Sequence, residues 1–151
     1  RIWSCASSSG EEAYSVLMLL ADYLGPKLSR YKLNIFGTDI DSTALGKARE
    51  AAYDAFQFKK VPLEWMELVN KYFYNIENKR YWIREEWPAY MDFKYHDVLS
   101  EPPLEHMDII LCRNVFIYFD KDLQEQALNS FWNGLNREGI LILGNVESIF
   151  G

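Results

Sequence analysis

The sequence predicts an α/β domain: a mostly parallel sheet with helices on both faces, into which a small helix and a β-hairpin are inserted. Three observations predict it. Short apolar runs alternate with segments of helical period, as in a sheet whose neighbouring strands are joined by helical crossovers. The first run closes in a serine-rich turn, Ser7-Ser8-Ser9-Gly10, that opens a helix, and the second closes in acid, Asp39-Ile40-Asp41. Hydrophobic residues make up 49% of the 151 and aromatics 16%, enough to bury one core at the usual size of one domain, taken as 1–151.

Residues 1–6, Arg-Ile-Trp-Ser-Cys-Ala, read as the first strand. In the helix that follows, Tyr14, Leu17, Met18, Ala21 and Leu24 recur at helical spacing, Gly25-Pro26 stops it, and the serines offer side-chain caps at its start. Residues 33–40 are the second strand. Residues 42–53 form a helix with Leu45, Ala48 and Ala52 on one face and Asp41 as its N-cap. Right-handed crossovers place both helices on one face and gather the carboxyl ends of the strands at one edge.

Residues 54–90 break the alternation as an insertion. Residues 62–72 look helical, and Tyr81-Trp82-Ile83-Arg84 is half of a hairpin turning at Glu77-Asn78, a small β-subdomain over 72–84. Residues 90–95, 107–112 and 140–143 supply the third, fourth and fifth strands. Between the last two, Leu123, Ala127, Leu128, Phe131 and Leu135 mark an amphipathic helix.

A formal net charge of -6 argues against a protein that neutralises phosphates, so no nucleic-acid partner is expected. Cys5 and Cys112 lie inside apolar runs and suit buried thiols better than a disulfide framework, which fits a cytoplasmic protein. No apolar stretch approaches the ~20 residues that span a bilayer, so no membrane insertion is expected. The abrupt start within a strand suggests an excised piece of a longer protein.

The first loop carries the most chemistry. Dinucleotide binders place three glycines there to admit a pyrophosphate, and Cys5-Ala-Ser-Ser-Ser-Gly10 keeps only the last. Glu11 and Glu12 would repel a pyrophosphate and suit a cation. S-adenosylmethionine, with a sulfonium, an ammonium and no phosphate, is such a ligand. Both glutamates also complement the helix dipole, which alone is worth ~0.3–1 kcal/mol each. Asp39 stands where such folds place an acid that accepts hydrogen bonds from ribose hydroxyls. Asp97, with apolar Val98 and Leu99 after it, can accept from an exocyclic amine, though a turn role suits Asp97 as well. Arg113 and Asn114 emerge at the same sheet edge, where an arginine can grip a carboxylate in bidentate fashion. Tyr118 can line the path of a transferring methyl group, or else join Phe116 and Phe119 as core aromatics. His96 and His106 share no metal-ligand spacing with the cysteines, so no metal is expected, and no nucleophile triad is visible.

The tracts Trp3-Ser4, Ser7-Ser8-Ser9-Gly10-Glu11-Glu12-Ala13-Tyr14-Ser15, Thr38-Asp39-Ile40-Asp41, Cys112-Arg113-Asn114-Val115-Phe116-Ile117-Tyr118-Phe119-Asp120 and Gly144-Asn145-Val146-Glu147-Ser148 together resemble the CheR-type chemoreceptor glutamate methyltransferases. The resemblance runs the length of the chain. It implies a Rossmann-like fold that binds S-adenosylmethionine and releases S-adenosylhomocysteine. It puts Glu11, Asp39, Asp97, Val98, Arg113 and Asn114 at cofactor-contact positions; Arg113 and Tyr118 are the expected catalytic residues from their own place after the fourth strand. It also implies a chemoreceptor cytoplasmic domain as substrate, docked in some members through the small β-subdomain. Ala13 stands where the family usually has proline, and Asn145-Val146 where it has His-Ser. The family's N-terminal helical domain and closing strand pair are absent from these residues. The expected reaction is methyl transfer to a glutamate carboxylate, already ionised at pH 7 and needing no strong general base. The alternative is a CheR-like module that holds cofactor or product without turnover; a nucleotide-dependent oxidoreductase is disfavoured by the missing glycines.

Overall fold

Ile2-Trp3-Ser4-Cys5 is buried along its whole length, and its alternating side chains feed two separate cores. The computed structural model describes residues 1–145 and 147. The chain runs β1 (Ile2–Cys5), α1 (Glu11–Leu24), β2 (Ile35–Asp39), α2 (Ser42–Glu50), β3 (Ala52–Asp54), α3 (Leu63–Tyr72), β4 (Phe73–Ile76), β5 (Arg80–Ile83), β6 (Met91–Tyr95), β7 (Met107–Cys112), α4 (Lys121–Gly134) and β8 (Leu135–Leu143).

Among the described residues the main sheet has the order β6-β2-β1-β7-β8, with every pairing parallel. Ile2 and Ile35 point to one face, where Leu17 of α1 and Leu45 and Ala48 of α2 cover them. Trp3, Phe36 and Ile110 point to the other, where Ala127 and Phe131 of α4 close the layer. Trp3 and Phe131 meet edge to face with centroids 5.6 Å apart. Parallel strands covered on both faces read as apolar runs, which is why β1 and β7 were conspicuous in the sequence.

Local chemistry adjusts several boundaries. Among the described residues no serine side chain caps α1. Its N-cap is Gly10 in a left-handed conformation (φ 88), where a Cβ would come within 2.9 Å of Ala48 Cβ. The helix expected over 42–53 stops at Glu50, because Ala51 turns left-handed (φ 52) and Ala52–Asp54 pairs with β5 instead. The small sheet is therefore three-stranded, β3-β5-β4, rather than a lone hairpin. Its turn lies where expected, with Glu77 and Asn78 both at positive φ. The fifth strand starts earlier than its apolar run, and Leu135 belongs to it rather than to α4.

Candidate active site at the carboxyl ends of the parallel strands

Strand order reverses at β1: α1 leads from it to β2 on one side, while β7 lies on the other. In sheets of this kind the loops leaving the strands on either side of the reversal diverge, and ligands bind in the crevice outside their carboxyl ends. Glu12 and Arg113 meet at this edge and Asp39 ends the neighbouring strand β2 there, whereas Glu11 lines a separate cavity.

The loop after β1 is tight, with Ala6, Ser8 and Gly10 all at positive φ. Asp39 pins it. Its Oδ2 accepts from the Ser8 N–H at 2.8 Å and its Oδ1 from the Asp41 N–H at 2.9 Å. Asp41 is the N-cap of α2, accepting from the Thr43 and Ala44 N–H groups. Beside Asp39, Ile40 and Tyr95 stand more than half exposed at the ends of neighbouring strands.

Glu11 and Glu12 diverge because consecutive helical residues point about 100° apart. Glu12 faces the crevice: Oε1 accepts from the hydroxyl of fully buried Ser4 at 2.8 Å, and Oε2 lies 3.4 Å from Arg113 Nη1. Glu11 accepts from Ser9 Oγ at 2.9 Å and Gln57 Nε2 at 3.2 Å. It lines a separate, mostly apolar cavity of about 430 Å³ between α1 and the insertion, with Tyr14, Phe58 and Trp65. Sequence reasoning singled out Glu11 of the pair. The carboxylate that meets Arg113 is Glu12, and no local pattern separates the two, since the Ser4 and Arg113 partners come from other elements.

Asp97 sits in a turn after β6. The Ser100 hydroxyl first, then the Leu99 N–H, hold its carboxyl below the usual carboxylate range. Val98 is half-buried and packs on the Trp3 side of the sheet. Between these elements, the His96 N–H donates to the Asp39 carbonyl at 3.2 Å, tying β6's end to β2's.

Arg113 and Asn114 leave β7 on the exposed side, Asn114 with φ 62. The short 3-10 turn Phe116–Tyr118 follows. Phe116 is buried against Phe131 and Phe119 is half-buried, whereas Tyr118 is 79% exposed, so the core role belongs to the phenylalanines. Two features were not singled out as site residues: Glu12, and Glu147, whose carboxylate accepts from the Val115, Phe116 and Gly144 N–H groups.

The crevice combines carboxylates from α1 and β2, a guanidinium from β7 and exposed apolar side chains. Among the described residues no three His, Cys, Asp or Glu side chains gather as a metal site, and no helix is long and apolar enough to cross a membrane. The donor set fits a nucleoside carrying positive charge. Acids stand where a phosphate binder would present glycines and free N–H groups.

Comparison with known proteins agrees. The family model described as the CheR methyltransferase SAM binding domain matches residues 1–151. The chemotaxis protein methyltransferase of Borreliella burgdorferi is 32% identical, covering 100% of this chain and 53% of that protein. Its counterpart in Escherichia coli is 35% identical, covering 98% of this chain and 52% of that protein. The chain thus spans about half the length of these curated relatives. Among solved structures, an S-adenosylhomocysteine complex of a SAM-dependent methyltransferase from Thiobacillus denitrificans aligns with TM-score 0.51 and 14% identity, covering 95% of this chain and 40% of that one. A putative O-methyltransferase from Nostoc punctiforme aligns with TM-score 0.56 and 16% identity, over 94% and 31%. At these identities the structures speak for the Rossmann-like methyltransferase fold alone. With the family model spanning every residue, the chain belongs to the CheR methyltransferase SAM-binding domain family.

Proposed function

We propose that the protein transfers a methyl group from S-adenosylmethionine to glutamate side-chain carboxylates of chemotaxis receptors, acting in the cytoplasm. The observation that carries this reading is the Glu12–Arg113 contact at the strand-order reversal, flanked by Asp39. When bound, S-adenosylmethionine supplies an electrophilic methyl group on a sulfonium.

The residues then divide the work. Asp39 uses one lone pair of each oxygen on backbone N–H groups and keeps the others for ribose hydroxyls. Glu12 offers negative charge to the methionyl ammonium, and Glu11 adds to the acidic field at the start of α1. Asp97 and Val98 border the adenine position, with Asn114 completing the wall. Arg113 is 43% exposed and its contact to Glu12 is long, so further donors remain to orient the acceptor carboxylate. Tyr118 stands free to line the methyl path. A glutamate nucleophile is ionised at neutral pH, so alignment and exclusion of water supply the acceleration and no base is needed.

Full-length protein incubated with radiolabelled S-adenosylmethionine and receptor cytoplasmic fragments is expected to deposit label on glutamates as base-labile methyl esters. No label on any carboxylate acceptor would overturn the proposal.

A further inference from the structure

Glu147 bridges the ends of two strands. Its Oε1 accepts from the Val115 N–H at 2.7 Å and the Phe116 N–H at 2.8 Å, and its Oε2 accepts from the Gly144 N–H just past β8. Burial alone would push this carboxyl up. The N–H groups of Gly144, Asn114, Phe116 and Val115 outweigh it and hold the group below the usual carboxylate range. The fit is close, because a Cβ on Gly144 would stand 2.6 Å from Glu147 Oε2 and 3.1 Å from Asn114 Oδ1. The turn so held begins at Asn114, whose left-handed backbone (φ 62) is one that neighbouring contacts must maintain.

We infer that Glu147 is a positioning residue: its carboxylate clasps the 114–116 turn to the end of β8 and thereby sets the direction in which Arg113 and Asn114 leave β7. The inference deepens the proposed function, since it rests on Arg113 and Asn114 lining the cofactor site. Glu147 has no need to touch cofactor or acceptor. In Glu147→Gln the shape is kept, but one acceptor oxygen becomes an NH₂ that faces an N–H, and the clasp opens. Gly144→Ala attacks the same clasp from the opposite side by displacing the carboxylate.

The test is calorimetric titration of full-length wild type, Glu147→Gln and Gly144→Ala with S-adenosylmethionine, paired with steady-state kinetics on a receptor fragment. Both variants are expected to bind cofactor roughly tenfold more weakly, with KM for cofactor rising in step and KM for the receptor fragment rising too, because Arg113 also orients the acceptor. Wild-type cofactor affinity in Glu147→Gln would overturn the inference. So would a loss of cofactor affinity just as large when Glu147→Gln is made in an Arg113→Ala background, the mark of general loosening. Should Gly144→Ala fail to fold, Glu147→Gln alone decides. A wild-type protein that binds no cofactor would instead remove the proposed function beneath it, and the two failures are separable.

Discussion

Glu12 of α1 and Arg113 beyond β7 face each other at 3.4 Å, although 101 residues separate them in sequence. Their contact joins the start of α1 to the chain leaving β7 at the edge where strand order reverses. The buried Ser4 hydroxyl fixes the other oxygen of Glu12, leaving that carboxylate pre-aimed. An ion pair this exposed contributes little to stability, so its value lies in placing charge.

Glu12→Gln is therefore expected to weaken S-adenosylmethionine binding by about 1.5 kcal/mol, roughly tenfold, and Glu11→Gln by distinctly less. Calorimetry on both variants checks the order. A larger loss in Glu11→Gln would show that Glu11, not Glu12, meets the methionyl ammonium.

Asp39→Ala is expected to cost cofactor affinity by ~1.5–3 kcal/mol, through lost bonds to ribose and a loosened first loop. Unchanged affinity would refute the ribose assignment. Amide hydrogen exchange at Ser8 and Asp41 should rise in the same variant, since their N–H groups donate to this side chain.

The parts of this site readable in the sequence are those set by neighbours along the chain. Asp41 is followed by a helix and caps it; Asp39 ends an apolar run and therefore sits at the sheet edge. The first loop's single glycine signalled that no pyrophosphate cradle is built there. What stayed hidden depends on partners far away. Glu11 and Glu12 are indistinguishable until Ser4 and Arg113 are placed beside one of them. Ala52 and Tyr53 continue an apolar helical face in sequence, yet Arg80–Trp82 draws them into a strand. Glu147 becomes a clasp only once β7 and β8 lie side by side.

Tyr118 is 79% exposed. Tyr118→Ala should thus change folding stability by no more than ~0.5 kcal/mol, while lowering kcat and leaving cofactor Kd unchanged. Denaturant melts and kinetics on the full-length protein check this, and an undiminished kcat would remove Tyr118 from the reaction path.

Phe131 is fully buried against Trp3 and Phe116. Phe131→Ala is expected to destabilise the domain by ~3–5 kcal/mol in urea unfolding. A loss under ~1 kcal/mol would mean that α4 does not close the second core as described.

The Asp97 carboxyl is held down chiefly by the Ser100 hydroxyl, then by the Leu99 N–H. Its folded pKa lies below the unfolded value, so its stabilising contribution is complete above the unfolded value and is lost as pH falls through the folded one. NMR titration should place the Asp97 midpoint below the usual aspartate value of ~3.9, and Ser100→Ala should raise it. A midpoint unmoved by that substitution would contradict the turn geometry.

Under the proposed function, acids at the carboxyl edge of the sheet receive a phosphate-free, positively charged nucleoside. A crystal structure of the full-length protein with S-adenosylhomocysteine tests it most directly. The expected result is the ribose hydroxyls within ~3 Å of Asp39 and the methionyl ammonium beside Glu12. An adenosyl group lodged in the apolar cavity between α1 and the insertion, away from both residues, would contradict it.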